Sequence, residues 1–292
     1  MIGDMPGVQF ARSHLFMAAR EGKGPGVVIF GAPLDVTTSF RPGTRMGPRA
    51  IRDYSWALET YSLDMGRDLE KVVFYDAGDL DLAPGEIEGA LSAIRHASAA
   101  VLAAGGIPLM LGGEHLSTLG AVEAVFERHQ SLAVVHLDAH ADMRLHYMGQ
   151  KLSHAGVMRQ VSALVGRENV FSVGVRSASS DEIEYAASPE ANFRPGSLRH
   201  LGDVAQEVRE RPVYLTIDMD VVDPAYAPGT GAPEPGGPAA SELLEALLSL
   251  EGSNIVAADV MEVAPPYDPS GITALLAAKV VRQLIMLMAP GE

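Results

Sequence analysis

Three short motifs place carboxylates and imidazoles at the ends of apolar runs. They are Gly-Gly-Glu-His at residues 112–115, His-Leu-Asp-Ala-His-Ala-Asp at 136–142, and Ile-Asp-Met-Asp at 217–220. The residues with the strongest ligand character are His115, Asp138, His140, Asp142, Asp218 and Asp220. Carboxylate oxygen and imidazole nitrogen suit hard or borderline divalent ions such as Mn(II), and the chain has no cysteine to offer thiolate. The motifs therefore predict a site for such ions.

The number and spacing of these residues favour two ions over one. Ligands two residues apart in an extended chain point to the same face, with Cα atoms roughly 6.5 Å apart. That span suits two ions about 4 Å apart, which together lower the pKa of a water molecule between them. Two divalent charges would also balance four aspartates that otherwise repel one another. The spacing predicts a two-metal hydrolytic site, although it does not exclude a single ion.

Taken alone, each motif has an ordinary structural interpretation. An Asp-x-Asp sequence after a strand is usually a turn or a helix cap, and a histidine beside Gly-Gly is usually a core or loop residue. Metal binding is predicted because the three motifs occur together at predicted strand ends. His136 is interpreted as a buried, hydrogen-bonded histidine or a residue that supports a ligand, and Glu114 is a weaker candidate for such support.

The elements that position these motifs alternate between short apolar runs and longer helical patterns. The runs predict strands at 26–31, 72–75, 107–111, 132–137, 170–175, 213–217 and 255–258. Helices are predicted at 87–104, 118–128, 155–165, 241–250 and within 271–288. Continuously apolar strands separated by helices predict an α/β fold, a three-layer α/β/α arrangement with a mostly parallel sheet. Ligands bind outside the carboxyl ends of such strands, which is where the motifs lie.

Composition and charge exclude several classes of function. The 292 residues are 47% hydrophobic and predict a single domain, 1–292, with a short N-terminal extension at about 1–24. A net charge of −15 argues against nucleic-acid binding and is compatible with a small cationic substrate. The apolar segment 272–289 carries Lys279, Arg282 and Gln283, so it predicts an amphipathic helix rather than a membrane span. The N-terminal residues lack the pattern of a secretory signal, and a cytoplasmic location is expected.

The sequence resembles the ureohydrolases, the family of arginases and agmatinases, and within it the bacterial agmatinases. The resemblance rests on the three motifs and on the segments 41–52, 153–154, 217–231 and 262–268. It extends from about Val27 to the C-terminal helix. It implies an arginase/deacetylase-like fold with a sheet of about eight strands, and a homo-oligomer, either a trimer or a hexamer.

The family pattern, carried onto this sequence, implies two Mn(II) ions per chain. One ion would be held by His115, Asp138, Asp142 and Asp218. The other would be held by His140, Asp138, Asp218 and Asp220. In this arrangement Asp138 and Asp218 would bridge the two ions.

The resemblance also implies hydrolysis of a guanidine to urea and an amine, with agmatine, converted to putrescine in polyamine biosynthesis, as the expected substrate. Glu262 would clamp the guanidinium through charge-assisted hydrogen bonds. Asp142 would hold and help to transfer a proton, and His154 would protonate the leaving amine near neutral pH. Without the resemblance, Glu262 reads as a surface or salt-bridged carboxylate and His154 as a contact at a helix N-terminus.

Several alternatives remain open. Arginases share a run rich in Asn, Thr and Ser at the position of the loop 143–152, and this sequence departs from it. Arginine is therefore disfavoured as the substrate, whereas N1-aminopropylagmatine and guanidinobutyrate are not. Tyr147 or Tyr267 is hypothesised to meet a cationic tail by cation–π contact. An amide deacetylase with one metal, or a binding protein with a degenerate site, is disfavoured because the ligand set is complete and Glu262 accompanies it.

Overall fold

A large, mostly parallel sheet forms the centre of the protein, seen in a computed structural model that describes residues 10–11, 15–188 and 191–289. Its strands are β1 (Phe10–Ala11), β2 (Arg20–Glu21), β3 (Gly26–Ala32), β6 (Phe74–Leu80), β7 (Gly106–Gly112), β8 (Ala133–Leu137), β9 (Val170–Val173), β10 (Asn192–Arg194), β11 (Val213–Asp218) and β12 (Ile255–Met261). The remaining two, β4 (Tyr61–Ser62) and β5 (Arg67–Asp68), form a separate antiparallel pair.

The order of strands across the sheet explains how distant motifs meet. Along the main path the order is β1-β6-β3-β7-β12-β11-β8-β9-β10, and β2 pairs with β6 beside that path. Every pairing in this sheet is parallel except that of β1 with β6. The four central strands β7, β12, β11 and β8 are therefore neighbours whose carboxyl ends lie along one edge. The predicted metal ligands and catalytic residues lie at or after the carboxyl ends of these four strands.

Helices cover both faces of the sheet. They are α1 (Gly47–Ser55), α2 (Ile87–Ala103), α3 (Ser117–Arg128), α4 (Val157–Val165), α5 (Ser180–Ala186), α6 (Leu201–Glu207), α7 (Ala240–Leu248) and α8 (Ile272–Met288). Alternate residues of a strand enter different cores: Val27 and Ile29 pack with α1, α6, α7 and α8, whereas Val28 and Phe30 pack with α2, α3 and α4. The three-layer α/β/α fold predicted from the sequence is confirmed, with nine strands on the main path because short edge strands extend it.

The strand predicted at 72–75 is wrong in its bounds, because β6 runs from Phe74 to Leu80. Residues Asp76 and Asp79 interrupt the apolar pattern of β6, and they are tolerated because Arg52 forms ion pairs with both carboxylates. Nε and Nη2 of the fully buried Arg52 donate to the two carboxylate oxygens of Asp76 at 2.8 and 2.9 Å, and Nη1 donates to Asp79. A buried charge pair of this kind needs complete hydrogen bonding, which Arg52 supplies from α1, a helix the sequence pattern did not predict.

The short elements β10, α5 and α6 were also not predicted, since their apolar periodicity spans too few residues. The predicted N-terminal extension, 1–24, lies partly outside the described residues, at 1–9 and 12–14; within the described part, β1 and β2 pair with β6. Among the residues described, no helix is long and apolar enough to cross a membrane.

Candidate metal centre and catalytic cavity

The first cluster of candidate ligands surrounds the imidazole of His115, just beyond β7. Its Nδ1 atom lies 3.1 Å from Oδ2 of Asp138, 3.2 Å from Oδ2 of Asp142 and 3.4 Å from Oδ2 of Asp218. Within the described residues this buried nitrogen has no hydrogen-bond partner, although three carboxylates face it. The other ring nitrogen, Nε2, lies 2.9 Å from Oγ1 of Thr216, which fixes the ring plane. Four ligand atoms from three strands thus converge on one point.

The second cluster surrounds His140, which follows β8. Its Nδ1 lies 3.0 Å from Oδ2 of Asp220 and 3.5 Å from Oδ1 of Asp138. Asp138 therefore presents Oδ2 to the first cluster and Oδ1 to the second. One fully buried carboxylate connects the two groups of ligand atoms.

The electrostatics of the two clusters fit divalent cations. Burial, followed by repulsion from Asp220 and Asp138, raises the pKa of Asp218 well above its usual range. Burial alone would lower the pKa of His115, but its contacts with Asp138, Asp142 and Asp218 raise it instead. Buried carboxylates that repel one another, facing an imidazole nitrogen without a hydrogen bond, form a donor set of the hard and borderline kind. The residues brought together here fit the metal ions that the sequence predicts.

His136 lies deeper in β8, beneath this pair of clusters. Its Nε2 is 2.8 Å from Oδ2 of Asp138, and its Nδ1 is 3.2 Å from Oγ of Ser172. Its position with His115 and Asp138 would also allow these three to form a ligand group. Because both ring nitrogens of His136 already have partners, we assign it to holding the Asp138 carboxylate, in line with the interpretation from sequence.

The turns that carry the aspartates differ from the extended chain expected for the motifs. The main-chain N–H of His140 donates to Oδ1 of Asp138 at 2.6 Å, and that of Asp220 donates to Oδ1 of Asp218 at 2.8 Å. Residues Met219–Val221 form a 3₁₀ turn. The expectation of an extended chain is therefore wrong at this motif, because each leading aspartate accepts from the N–H two residues on. The same turn in both motifs leaves Oδ2 of Asp138 and Oδ2 of Asp218 directed at the first cluster.

Arg176, which sequence reasoning missed, ties three loops of the site together. Its Nη1 donates to the carbonyl of Val221 at 2.8 Å, and Nη2 donates to that of Asp220 at 2.9 Å. Both Nε and Nη2 also donate to the carbonyl of Glu234, and the main-chain N–H of Arg176 donates to Ala139. Satisfying several carbonyls with one planar guanidinium fixes the backbone beside the second cluster. No local sequence signal marks this role.

A buried polar network behind His115 was likewise not predicted. Thr216, which contacts His115, lies 3.4 Å from Oγ1 of Thr118, and Thr118 donates to Oδ2 of Asp259 at 2.8 Å. The hydroxyl of Tyr214 donates to the same Asp259 oxygen at 2.6 Å. Burial raises the pKa of Asp259 and that of Tyr214. Such groups behind a ligand orient it and set its basicity.

Asp142 and Glu262 reach the site from loops with unusual backbone geometry. Both are non-glycine residues with positive φ, 52° and 64° respectively. The carbonyl of Asp142 accepts from Met158 at 2.9 Å at the start of α4, and Oε1 of Glu262 accepts from the main-chain N–H of His115 at 2.7 Å. A strained conformation held by surrounding hydrogen bonds is a frequent mark of a functional residue.

A cavity of about 220 Å³ opens over the two clusters. Its lining includes the predicted site residues His140, Asp142, His154, Asp218, Asp220 and Glu262. Arg144 and Tyr147, from the loop 143–152, also line it. Tyr267 is not part of this lining, and its ring instead lies 5.2 Å from the guanidinium of Arg41. Of the two tyrosines considered from sequence, Tyr147 lines this cavity and Tyr267 does not.

Fold and site together define an α/β protein with a carboxylate and imidazole centre at the carboxyl edge of its sheet. The chain belongs to the arginase family, whose pattern matches residues 25–287. It is 43% identical to an agmatinase of Bacillus anthracis over 96% of each chain. It is 37% identical to proclavaminate amidinohydrolase of Streptomyces clavuligerus, over 90% of this chain and 88% of that one. The crystal structure of agmatine ureohydrolase of Thermoplasma volcanium superposes with a TM-score of 0.85 at 34% identity, covering 95% of each chain.

Proposed function

We propose that this protein is a two-metal ureohydrolase that converts agmatine to putrescine and urea. The observation that carries the proposal is the pair of ligand clusters joined by Asp138 beneath a cavity that Glu262 also lines. The strong similarity to bacterial agmatinases supports agmatine as the substrate. We further propose that it acts in polyamine biosynthesis, as a cytoplasmic homo-oligomer, a trimer or hexamer, without nucleic-acid or membrane partners.

Two Mn(II) ions are the proposed cofactors. The first would be held by His115, Asp138, Asp142 and Asp218, and the second by His140, Asp138, Asp218 and Asp220. When bound, a pair of divalent ions lowers the pKa of a water molecule and provides a nucleophile at neutral pH. The short distances from His115 and His140 to these carboxylates support the assignment.

The side chains of the cavity supply binding and proton transfer. Burial raises the pKa of Glu262 well above its ordinary value, so a cationic guanidinium beside it stabilises the ionised carboxylate. Glu262 thereby orients the guanidinium carbon over the clusters. Asp142 accepts a proton from the attacking water and helps to transfer it. His154 donates a proton to the leaving nitrogen, so the amine departs as a neutral molecule rather than as an anion.

A guanidino acid is a second candidate substrate, and one observation favours it. Arg144 lines the cavity, its side chain is 40% exposed, and its Nε lies 3.7 Å from Oε2 of Glu182. Glu182 pairs with Arg144 only at this long distance, and it also accepts from the N–H groups of Met143 and Ser179 at 2.9 and 2.8 Å. A substrate carboxylate, such as that of guanidinobutyrate, would find a cation in Arg144. An amine tail would instead meet the ring of Tyr147.

Urea release from a panel of guanidines tests the proposal. The panel comprises agmatine, N1-aminopropylagmatine, guanidinobutyrate and arginine, each assayed with added Mn(II) and with chelator. We expect agmatine to have the largest kcat/KM and expect Asp138→Ala to release no urea. A larger kcat/KM for guanidinobutyrate, reduced by Arg144→Gln, would establish the second candidate. Metal-loaded protein that releases no urea from any of these would refute the proposed function.

A further inference from the structure

The hydroxyl of Thr37 connects His154 to the buried carboxylate of Glu114. Oγ1 of Thr37 lies 3.0 Å from Oε1 of Glu114, 2.9 Å from the main-chain nitrogen of His154 and 3.2 Å from its ring Nδ1. These three partner atoms belong to two residues, Glu114 and His154, which lie far apart in sequence. They also saturate the hydroxyl, which has one proton to donate and two lone pairs to accept with.

The single proton of the Thr37 hydroxyl is directed at Glu114. Oε2 of Glu114 accepts from the main-chain N–H groups of Val36 and Thr37 at 2.8 and 2.7 Å, so this carboxylate is surrounded by donors. A charge-assisted O–H···O⁻ bond is stronger than the neutral alternative, a bond to the imidazole. The main-chain N–H of His154 can only donate. One lone pair of Oγ1 then remains for Nδ1 of His154, and that nitrogen must carry a proton to bond to it.

We propose that Glu114 and Thr37 fix the tautomer of His154, keeping a proton on Nδ1 and reserving Nε2 for proton exchange in the cavity. The surroundings of Nε2 agree with this assignment. It lies 3.4 Å from Oγ of Ser39, and Ser39 accepts from the hydroxyl of Tyr147 at 3.2 Å, which leaves the proton of Ser39 free to point at Nε2. The ring of Tyr147 meets the imidazole edge-on, with centroids 5.6 Å apart at 90°.

The tautomer determines how His154 gives up a proton. In the protonated ring, the Nε2–H bond breaks as a new N–H bond forms to the leaving amine, and the electron pair stays on Nε2. The neutral ring that remains is already the Nδ1–H form that Thr37 binds, so no further rearrangement is needed. The catalytic use of this proton rests on the proposed function, whereas the tautomer depends only on the contacts above. Glu114 and Thr37 are positioning residues in this scheme.

The tautomer can be read directly by ¹⁵N NMR. The full-length protein, labelled with ¹⁵N-histidine and held in diamagnetic Mg(II) at mildly alkaline pH, is measured by magic-angle spinning, and His154 is assigned by loss of its signals in His154→Gln. Protonated and bare ring nitrogens have well-separated shifts. We expect the wild type and Thr37→Ser to show Nδ1–H, and Thr37→Val to lose that preference.

Two further variants test the direction of the chain of hydrogen bonds. In Glu114→Gln the amide keeps its oxygen toward the main-chain donors and offers N–H to Thr37, so the Thr37 proton turns toward His154 and Nδ1 becomes bare. Thr38→Val is the matched control, because the neighbouring Thr38 hydroxyl donates to Asp35 at 2.8 Å and not to His154. An unchanged tautomer in Thr37→Val, or an equal change in Thr38→Val, would overturn the proposal.

Kinetics separate this inference from the proposed function. With agmatine, Thr37→Val is expected to lower kcat by roughly 10- to 100-fold with a much smaller change in KM, since proton delivery follows binding, and Thr37→Ser is expected to restore most of the rate. If Thr37→Val alters the tautomer but the wild type releases no urea, the proposed function fails and the tautomer assignment stands. If the enzyme is active and the tautomer does not respond to Thr37→Val, the assignment fails and the function stands.

Discussion

Asp142 and Glu262 line the same cavity from different loops, and both have backbone φ angles in the left-handed region, 52° and 64°. A non-glycine residue in this region costs about 1–2 kcal/mol, so neighbouring contacts must hold it there. For Glu262 one such contact is the 2.9 Å hydrogen bond from its N–H to the carbonyl of Gly113. The two residues are thus placed by strained turns that the surrounding structure stabilises.

Glu262→Gln is expected to separate activity from stability. The amide has the size of the carboxylate and leaves the backbone conformation unchanged, but it has no charge with which to form an ion pair with a guanidinium. We therefore expect kcat/KM to fall by about 100-fold or more. Burial raises the pKa of this carboxyl, which means that its charge is costly in the substrate-free protein. The midpoint of thermal unfolding should therefore stay equal or rise. A substantial loss of stability in the variant would contradict this account.

Metal content should distinguish a shared carboxylate from an unshared one. Asp138 faces both clusters, whereas Asp220 contacts only His140 among the two candidate ligand histidines. We expect Asp138→Asn to lower Mn(II) binding toward zero per chain, and Asp220→Asn to retain about one ion. Elemental analysis after equilibration at fixed free Mn(II) gives the stoichiometry. Equal losses in the two variants would argue against the bridging role.

Arg176→Met is expected to weaken the second cluster specifically. Removing the guanidinium leaves the carbonyls of Asp220 and Val221 without their donor and frees the turn that carries the Asp220 side chain. Loss of such a supporting residue typically lowers metal affinity by about 10- to 100-fold. Titration with Mn(II) measures the change. Arg211→Met serves as the control, because Arg211 also donates to carbonyls, of Ser131 and Leu132, but at the opposite edge of the sheet.

The stability of α8 should depend on pH through Asp268. Its Oδ2 accepts from the main-chain N–H of Thr273 at 2.7 Å, and its Oδ1 accepts from that of Gly271 at 3.1 Å, at the start of the helix. Burial alone would raise the pKa of Asp268, but its hydrogen bonds to Ser270, Thr273 and Gly271 lower it overall. A lowered folded-state pKa gives stability that is complete above the unfolded value of about 3.9 and is lost as pH falls through the folded value.

Asp268→Asn removes that dependence. The amide does not titrate and has only one acceptor oxygen, so either the N–H of Gly271 or that of Thr273 loses its side-chain acceptor. The variant should therefore be less stable than the wild type by about 1 kcal/mol at neutral pH. The difference should shrink as the pH is lowered below about 3.9. Urea denaturation across this range measures the free energies of unfolding. A difference that is constant with pH would show that the charge of Asp268 has no part in capping α8.

The sequence was informative where chemistry and periodicity are local. The six candidate ligands, with Glu262 and His154, were chosen from motif and resemblance, and they lie around one cavity or beneath it. Arg176 and Thr37 could not be found in this way, because their roles depend on carbonyls and rings brought close by strand order. The bounds of β6 could not be predicted for a related reason. A buried strand tolerates the charge of Asp76 only because Arg52, which is distant in sequence, forms an ion pair with it.

The order of the central strands also bears on how the protein folds. The candidate ligands around His115 come from strands β7, β8 and β11, which are joined along the chain only by long connections, so no short segment of the chain can bring them together. Contacts between residues far apart in sequence form late and slowly. Metal ions should therefore leave the rate of refolding almost unchanged and act mainly by slowing unfolding. On this account, bound ions would stabilise the native state after it has formed and would not take part in the folding nucleus.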